Sequence, residues 1–219
     1  TKVQLTARLA AMMSGVSSSD LLYSTNLSPE QLQRFDSALG ALSGYQLYFD
    51  DKSTSNIEGI LASIRSLKMK YDIDGVVVDY LQILNVKSKN SNKEQAMADA
   101  ARRLKNIAKD LNIWVIALSQ LNRDSNNPQP NLNRLRDSGQ IAEAADMVMF
   151  VYRPEYYGKS FPEPFESEST KGKAMIDVAK GRNIGTMRFL TRFHAPLTLF
   201  EDIREGETIN PLPPSDMPF

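Results

Sequence analysis

Two short runs of branched aliphatic residues, separated by one amphipathic stretch, constrain this chain more than any other feature. The first is Gly75-Val76-Val77-Val78, which runs into Asp79. The second is Ile113-Trp114-Val115-Ile116-Ala117-Leu118, which ends in Ser119 and Gln120. Between them, residues 94–111 place Met97, Ala101, Leu104 and Ala108 on one face of a helix. A continuous apolar run of this kind predicts a strand covered on both faces, as in a parallel sheet packed between helices. A third run, Met147 to Arg153, is predicted as another buried strand and follows a short helical stretch at 141–145. Strands alternating with helices in this order indicate an α/β sheet.

The flanking segments fit that scheme. Leu5, Leu9, Met12 and Met13 recur at helical spacing, with Arg8 nearby. Ser28-Pro29-Glu30 starts a second helix, serine at the cap and proline in the first turn, ending at Gly40 or Gly44. Residues 45–51 alternate like a strand, and Ser55-Asn56-Ile57-Glu58 reads as a capping box opening a helix through Ile60, Ile64, Leu67 and Met69. Residues 122–133 read as a polar loop, and 154–173, with three prolines and little apolar pattern, as a long mobile loop. Residues 174–193 are predicted as two strands joined by a turn at Asn183-Ile184-Gly185, which gives antiparallel pairing toward the C-terminus. The end, 204–219, is a proline-rich tail outside the core.

Composition narrows the function classes. With 219 residues, 42% apolar and 24% charged, the chain can bury one sizeable core. It has no cysteine, which rules out disulfides and thiolate sites within this sequence and fits a reducing, cytoplasmic setting. A single histidine, His194, leaves little support for His-based metal clusters or Ser-His-Asp triads. No run approaches the roughly 20 apolar residues needed to span a bilayer, so no membrane partner is expected. Formal net charge is zero, which argues against broad electrostatic wrapping of nucleic acid but not against a few local phosphate contacts.

The chemistry sits at the strand ends. A buried, unpaired carboxylate is costly, so Asp79 should face a cation, a donor set or a metal, unless the strand end simply reaches solvent. Ligands of open α/β sheets bind outside the carboxyl ends of strands, and there Asp79 and Gln120 form a pair. The carboxylate can hold Mg²⁺ directly or through water, and the amide can sense a γ-phosphate or position a water. Gly158-Lys159-Ser160 imitates the end of a phosphate-binding G-x-x-x-x-G-K-[ST] loop. Arg153 stands where the first glycine belongs, however, and the residues that follow start a helix poorly. That match is a decoy.

Five segments taken in order, QLTARLAAMMSG, GVVVDYLQIL, RRLKNIAKDLNIWVIALSQLNR, LRDSGQIAEAADMVMFVYR and AKGRNIGT, resemble the RecA-like ATPase domain of DnaB-type replicative helicases. The resemblance covers about residues 3 to 202. It implies a RecA-like, mostly parallel central sheet in one partial motor domain, residues 1–203, followed by the tail at 204–219. It also implies that the phosphate-binding loop and a catalytic glutamate precede the segment present here. The parent would then hydrolyse ATP or another NTP with Mg²⁺, while this fragment would not.

Residue by residue, the resemblance implies that Asp79 organises Mg²⁺ and that Gln120 senses the γ-phosphate. It implies that Arg8 packs on the nucleotide base, as a guanidinium can on a π face. Lys180 and Arg182 resemble the basic pair that a neighbouring subunit inserts toward the γ-phosphate, although Gly181 stands between them where a glutamine or similar residue is more usual. Arg136, Asp137 and Gly139 resemble the loop that tracks single-stranded DNA. Arg136 suits phosphate, Gly139 allows close backbone approach, and Asp137 would act through its N–H or by orienting Arg136. The implied partners are single-stranded DNA, identical subunits in a hexameric ring, a primase and a helicase loader. Two alternatives stay open on sequence: a RecA-fold recombinase-like ATPase, and a non-catalytic assembly module.

Overall fold

The computed structural model describes residues 2–23, 26–51, 56–83, 93–121 and 127–203. Its helices are α1 Lys2–Ser14, α2 Ser18–Tyr23, α3 Pro29–Ser43, α4 Ile57–Tyr71, α5 Lys93–Asp110 and α6 Gly139–Ala144. Its strands are β1 Gly75–Val78, β2 Trp114–Ala117, β3 Met147–Tyr152, β4 Lys173–Gly181, β5 Met187–His194 and β6 Leu199–Asp202. Strands β1 and β2 pair in parallel, Gly75 opposite Trp114 through Val78 opposite Ala117. The remaining strands form a second sheet in the order β3-β4-β5-β6, in which β5 and β6 are antiparallel. The predicted α/β arrangement, parallel pairing first and antiparallel pairing toward the C-terminus, is what the chain adopts.

By its contacts the chain divides into two compact units. One comprises 1–51, 153–175 and 189–219, the other 52–152 and 176–188. The first unit packs α1 against α2 and α3, with Ala10, Ala11, Val16 and Ala38 buried. Helix α3 begins as its sequence dictates. The Ser28 hydroxyl accepts from the Gln31 N–H at 3.2 Å and the Gln31 side chain accepts from the Ser28 N–H at 2.8 Å, with Pro29 in the first turn. In the same unit the Arg153 guanidinium lies 3.9 Å from the centre of the Phe193 ring.

The second unit holds the parallel pair. Leu61 and Ile64 of α4, Met97, Ala100, Leu104 and Ile107 of α5, and Ile141 of α6 form one buried cluster, against which Val76, Val78 and Val115 pack. The period-two alternation of a strand then sends Gly75, Val77, Trp114 and Ile116 to the opposite face. That face is open: Val77 is 55% and Trp114 54% exposed. The expectation of strands covered on both sides is therefore corrected for the described residues of this unit, whose helices pack against one face. Strand β3 likewise exposes Met147, Met149 and Val151 while burying Phe150 and Tyr152.

Two local expectations also change, at 45–51 and at the start of α4. Residues 45–51 form no strand, because alternation by itself does not make one: a strand also needs ladder pairing with a second strand. Tyr45, Leu47, Tyr48 and Phe49 are all exposed. Helix α4 is capped by the Asn56 side chain, which accepts from the Glu58 N–H at 3.0 Å, while Ser55 lies outside the described residues. Within 154–173, Pro154–Tyr157 forms a 3-10 turn, Phe161 is buried, and the Gly172 N–H donates to the Glu155 carboxylate at 3.1 Å. The tail 204–219 and the loop residues 122–126 lie outside the described residues.

Candidate functional site

The parallel register decides where the strand-end residues fall. Pairing of Val78 with Ala117 is followed by a Leu118 N–H to Val78 carbonyl bond of 2.9 Å and a Leu81 N–H to Leu118 carbonyl bond of 2.9 Å. Main-chain bonding thus continues past both strands, with one extra residue on the Asp79 side. Asp79 and Gln120 leave the same, carboxyl, end of two adjacent strands. Both are exposed, and sequence parity relates them to Val77 and Ile116 of the open face. Solvent access removes the desolvation penalty that made an acid after three valines look costly. Among the described residues, neither the Asp79 carboxylate nor the Gln120 side-chain amide has a hydrogen-bond or ion-pair partner. The Asp79–Tyr80 peptide is cis.

Gln82 supplies a feature that the sequence reading did not assign. Its side-chain amide acts like a strand neighbour: Nε2 donates to the Gln120 carbonyl at 2.9 Å and Oε1 accepts from the Gln120 N–H at 3.2 Å. Nε2 also donates to the Ser119 hydroxyl at 2.9 Å. One side chain therefore holds both main-chain groups of Gln120 and leaves its own amide projecting. The signal was present in the sequence as the glutamine that closes DYLQ, but nothing local in that motif specifies a partner 38 residues away.

Lys180 and Arg182 come together at the end of β4. The Lys180 ammonium donates to the last-turn carbonyls of α6, Ala142 at 2.5 Å and Glu143 at 3.3 Å. The Arg182 N–H donates to the Asp146 carbonyl at 2.9 Å, and its guanidinium lies 3.4 Å from the Asp146 carboxylate. The same carboxylate binds Lys105 of α5, and that hydrogen bond, with the cations around it, lowers the pKa of Asp146 below the ordinary aspartate value. Gly181 is required between the two basic residues. A Cβ there would sit 2.3 Å from the Gly185 carbonyl oxygen and 2.6 Å from Ile184 Cγ1.

Arg136, Asp137 and Ser138 lie in a 3-10 turn, Leu132–Ser138, that runs directly into α6 at Gly139. The expected loop is thus short-pitched helix continuous with α6. Arg134 secures its approach: Nη1 donates to the carbonyls of Asn127, Pro128 and Gln129, at 3.2, 2.9 and 3.3 Å. Arg8 is exposed on α1, in the other unit. The decoy is no cradle, since the Gly158 and Lys159 N–H groups already donate to the Glu155 and Pro154 carbonyls. Among the described residues no three acidic or histidine side chains cluster in a way that could hold a metal, and no helix is long and apolar enough to cross a membrane. A lone carboxylate suffices for Mg²⁺ when substrate phosphates and waters complete the octahedron, so Asp79 fits that ion.

The family described as DnaB-like helicase C terminal domain matches residues 1–202.

The chain belongs to the DnaB-like helicase C-terminal domain family.

It is 39% identical over 217 residues to a replicative DNA helicase DnaB of Rickettsia bellii, covering 94% of this chain and 43% of that protein. It is 32% identical over 173 residues to a probable plasmid replicative DNA helicase of Chlamydia psittaci, covering 78% and 36%. Two solved structures share the fold. A DnaB-like replicative helicase studied with its primase interactions superposes with a TM-score of 0.81 at 26% identity, covering 93% of this chain and 48% of that one. The ATPase domain of G40P gives 0.80 at 25%, covering 93% and 72%. The RecA-like α/β fold and the DnaB-like ATPase domain are thereby shown, and the chain spans less than half the length of the curated relatives named here.

Proposed function

We propose that this chain is part of the motor of a ring-forming replicative DNA helicase that couples NTP hydrolysis to movement along single-stranded DNA and to duplex unwinding. One observation carries the reading: the parallel register brings Asp79 and Gln120, both exposed and with side chains that have no partner among the described residues, to one end of adjacent strands. On this reading Asp79 would hold Mg²⁺, which offsets the charge of the phosphates when bound. Gln120, its main chain held by Gln82, would register the γ-phosphate. Arg8 would stack on the base. Lys180 and Arg182 would reach the phosphates of a neighbouring subunit's nucleotide in a homohexamer, where such a cation in trans is worth roughly 10³–10⁵ in rate. Arg136, Asp137 and Gly139 would grip the sugar-phosphate chain without reading bases.

The relatives support the class, and their greater length leaves room for what the resemblance implies. The parent would supply the phosphate-binding loop and the catalytic glutamate, and 1–219 by itself would not hydrolyse NTP. Residues 1–203 would work as part of one motor domain, with 154–173 a loop mobile between its fixed points at Pro154–Tyr157, Phe161 and Gly172, and with 204–219 as an appended tail. The parent would act in the cytoplasm with a primase and a loader.

The test is fork unwinding and DNA-stimulated ATP hydrolysis by the full-length parent, beside Asp79→Asn and Gln120→Ala. Both variants should lose unwinding while still folding. A wild-type parent that never unwinds DNA, whatever the loading conditions, would refute the reading.

A further inference from the structure

The two cations read as fingers are already engaged within their own subunit, and the groups that engage them continue into the proposed DNA segment. Lys180 caps the last turn of α6 through the Ala142 and Glu143 carbonyls. Arg182 is held by Asp146, immediately beyond that helix, through both its N–H and its guanidinium. Helix α6 is only the six residues Gly139–Ala144, and the 3-10 turn bearing Arg136 and Asp137 runs straight into it. At 1.5 Å per residue that is about 9 Å of rigid backbone. Lys105 ties the far side of the Asp146 carboxylate to α5.

We propose that Asp146 is a positioning residue that holds the Lys180–Arg182 pair back on the end of α6, linking release of the pair to movement of the Arg136–Gly139 segment. This rests on the reading of the pair as groups offered to a neighbour's phosphate. Helix-end carbonyls carry partial negative charge and Asp146 a single formal charge, whereas a triphosphate carries several. The side chains of Arg182 and Asp146 are 59% and 54% exposed, so their contact can exchange for a new partner. A pair that moves to phosphate takes the cationic cap off α6 and leaves Asp146 to Lys105 alone. By reciprocity, DNA that shifts α6 changes the availability of the pair by the same factor. The arrangement makes hydrolysis DNA-dependent: without DNA the cations stay on their own subunit.

The experiment measures ATP hydrolysis by the full-length parent with and without single-stranded DNA. Asp146→Asn removes the ion pair that holds the Arg182 guanidinium while keeping the backbone bond, so basal hydrolysis should rise and the DNA-stimulated to basal ratio should fall by roughly fivefold or more, the scale of ordinary allosteric coupling. Lys105→Met leaves the carboxylate to Arg182, so the ratio should rise. A merely structural role would move both variants in one direction. The same direction for both, or ratios within about twofold of wild type while Lys180→Ala and Arg182→Ala abolish hydrolysis, would overturn the proposal. Wild-type hydrolysis by Lys180→Ala and Arg182→Ala would instead remove the finger reading, and this inference with it. If Asp146→Asn fails to fold, Lys105→Met decides by the sign of its ratio change.

Discussion

Adding one methyl group at each of two glycines should have opposite consequences. At Gly181, a Cβ would lie 2.3 Å from the Gly185 carbonyl oxygen, and contacts under 3.0 Å essentially never occur, so that carbonyl must retreat by about 0.7 Å. Ile184 Cγ1, at 2.6 Å, can rotate away because the side chain is half exposed, but the carbonyl is backbone and moves only if the turn opens. Overpacking of this kind costs about 1–3 kcal/mol. Opening the turn also strains the Arg182 N–H to Asp146 carbonyl bond, itself worth about 0.5–1.5 kcal/mol net. A central expectation for Gly181→Ala is therefore ~2 kcal/mol of destabilisation, a fall of about 1 M in urea midpoint at ordinary slopes for small proteins. At Gly40, inside α3, nothing lies within 4 Å of the added atom. Alanine there should stabilise by about 0.5–1 kcal/mol, by reducing unfolded-chain entropy and raising helix propensity. Urea denaturation of the 219-residue chain measures both. In the full-length parent, Gly181→Ala should also cut ATP hydrolysis by up to roughly 10²-fold, because a displacement near 1 Å of a positioned group has that cost. If Gly181→Ala matches wild type within about 0.5 kcal/mol, the close approach is not a constraint and the steric account of this glycine is wrong.

Gln82→Ala removes the two hydrogen bonds to the Gln120 main chain, and because the site is part-exposed water replaces them, so stability should fall by only about 1 kcal/mol. Loss of nucleotide-dependent unwinding should be out of proportion to that small change, as a side-by-side melt and unwinding assay would show. The pKa of Asp146 is lowered in the folded state, so the stability linked to it is present above the ordinary aspartate value of 3.8 and is lost as pH falls through the lower folded value. Urea midpoints between pH 2 and 5 should therefore show a component in wild type that Asp146→Asn lacks. Arg188 lies 3.1 Å from the buried Asp177 carboxylate, and Arg188→Met should destabilise by about 1.5–3 kcal/mol by leaving that charge without this partner. Chemical denaturation at neutral pH measures the loss.

Local chemistry made much of this protein legible from its letters. Ser28-Pro29-Glu30 marked a helix start, and GVVV and WVIA read as strands because they are short, rich in branched residues and bounded by glycine or polar residues. Asp79 and Gln120 were readable as a pair, since each ends such a strand and the helix between them enforces a parallel crossover. The run at 45–51 misled, since alternation is a property of one segment whereas a strand needs a second. Burial misled for the same reason: Val77 and Ile116 are as apolar as Val76 and Val115, and only the placement of α4 and α5 against one face decides which pair is covered. Sequence alone indicated most element types, the polar residues at two strand ends and the family resemblance, all carried by neighbours within a few residues. The tertiary structure decided the Gln82 hold on Gln120, the crowding at Gly181, and the attachment of Lys180 and Arg182 to the end of α6. Each of these joins groups from separate elements or opposite sides of a turn, and no local periodicity encodes a distance of that kind.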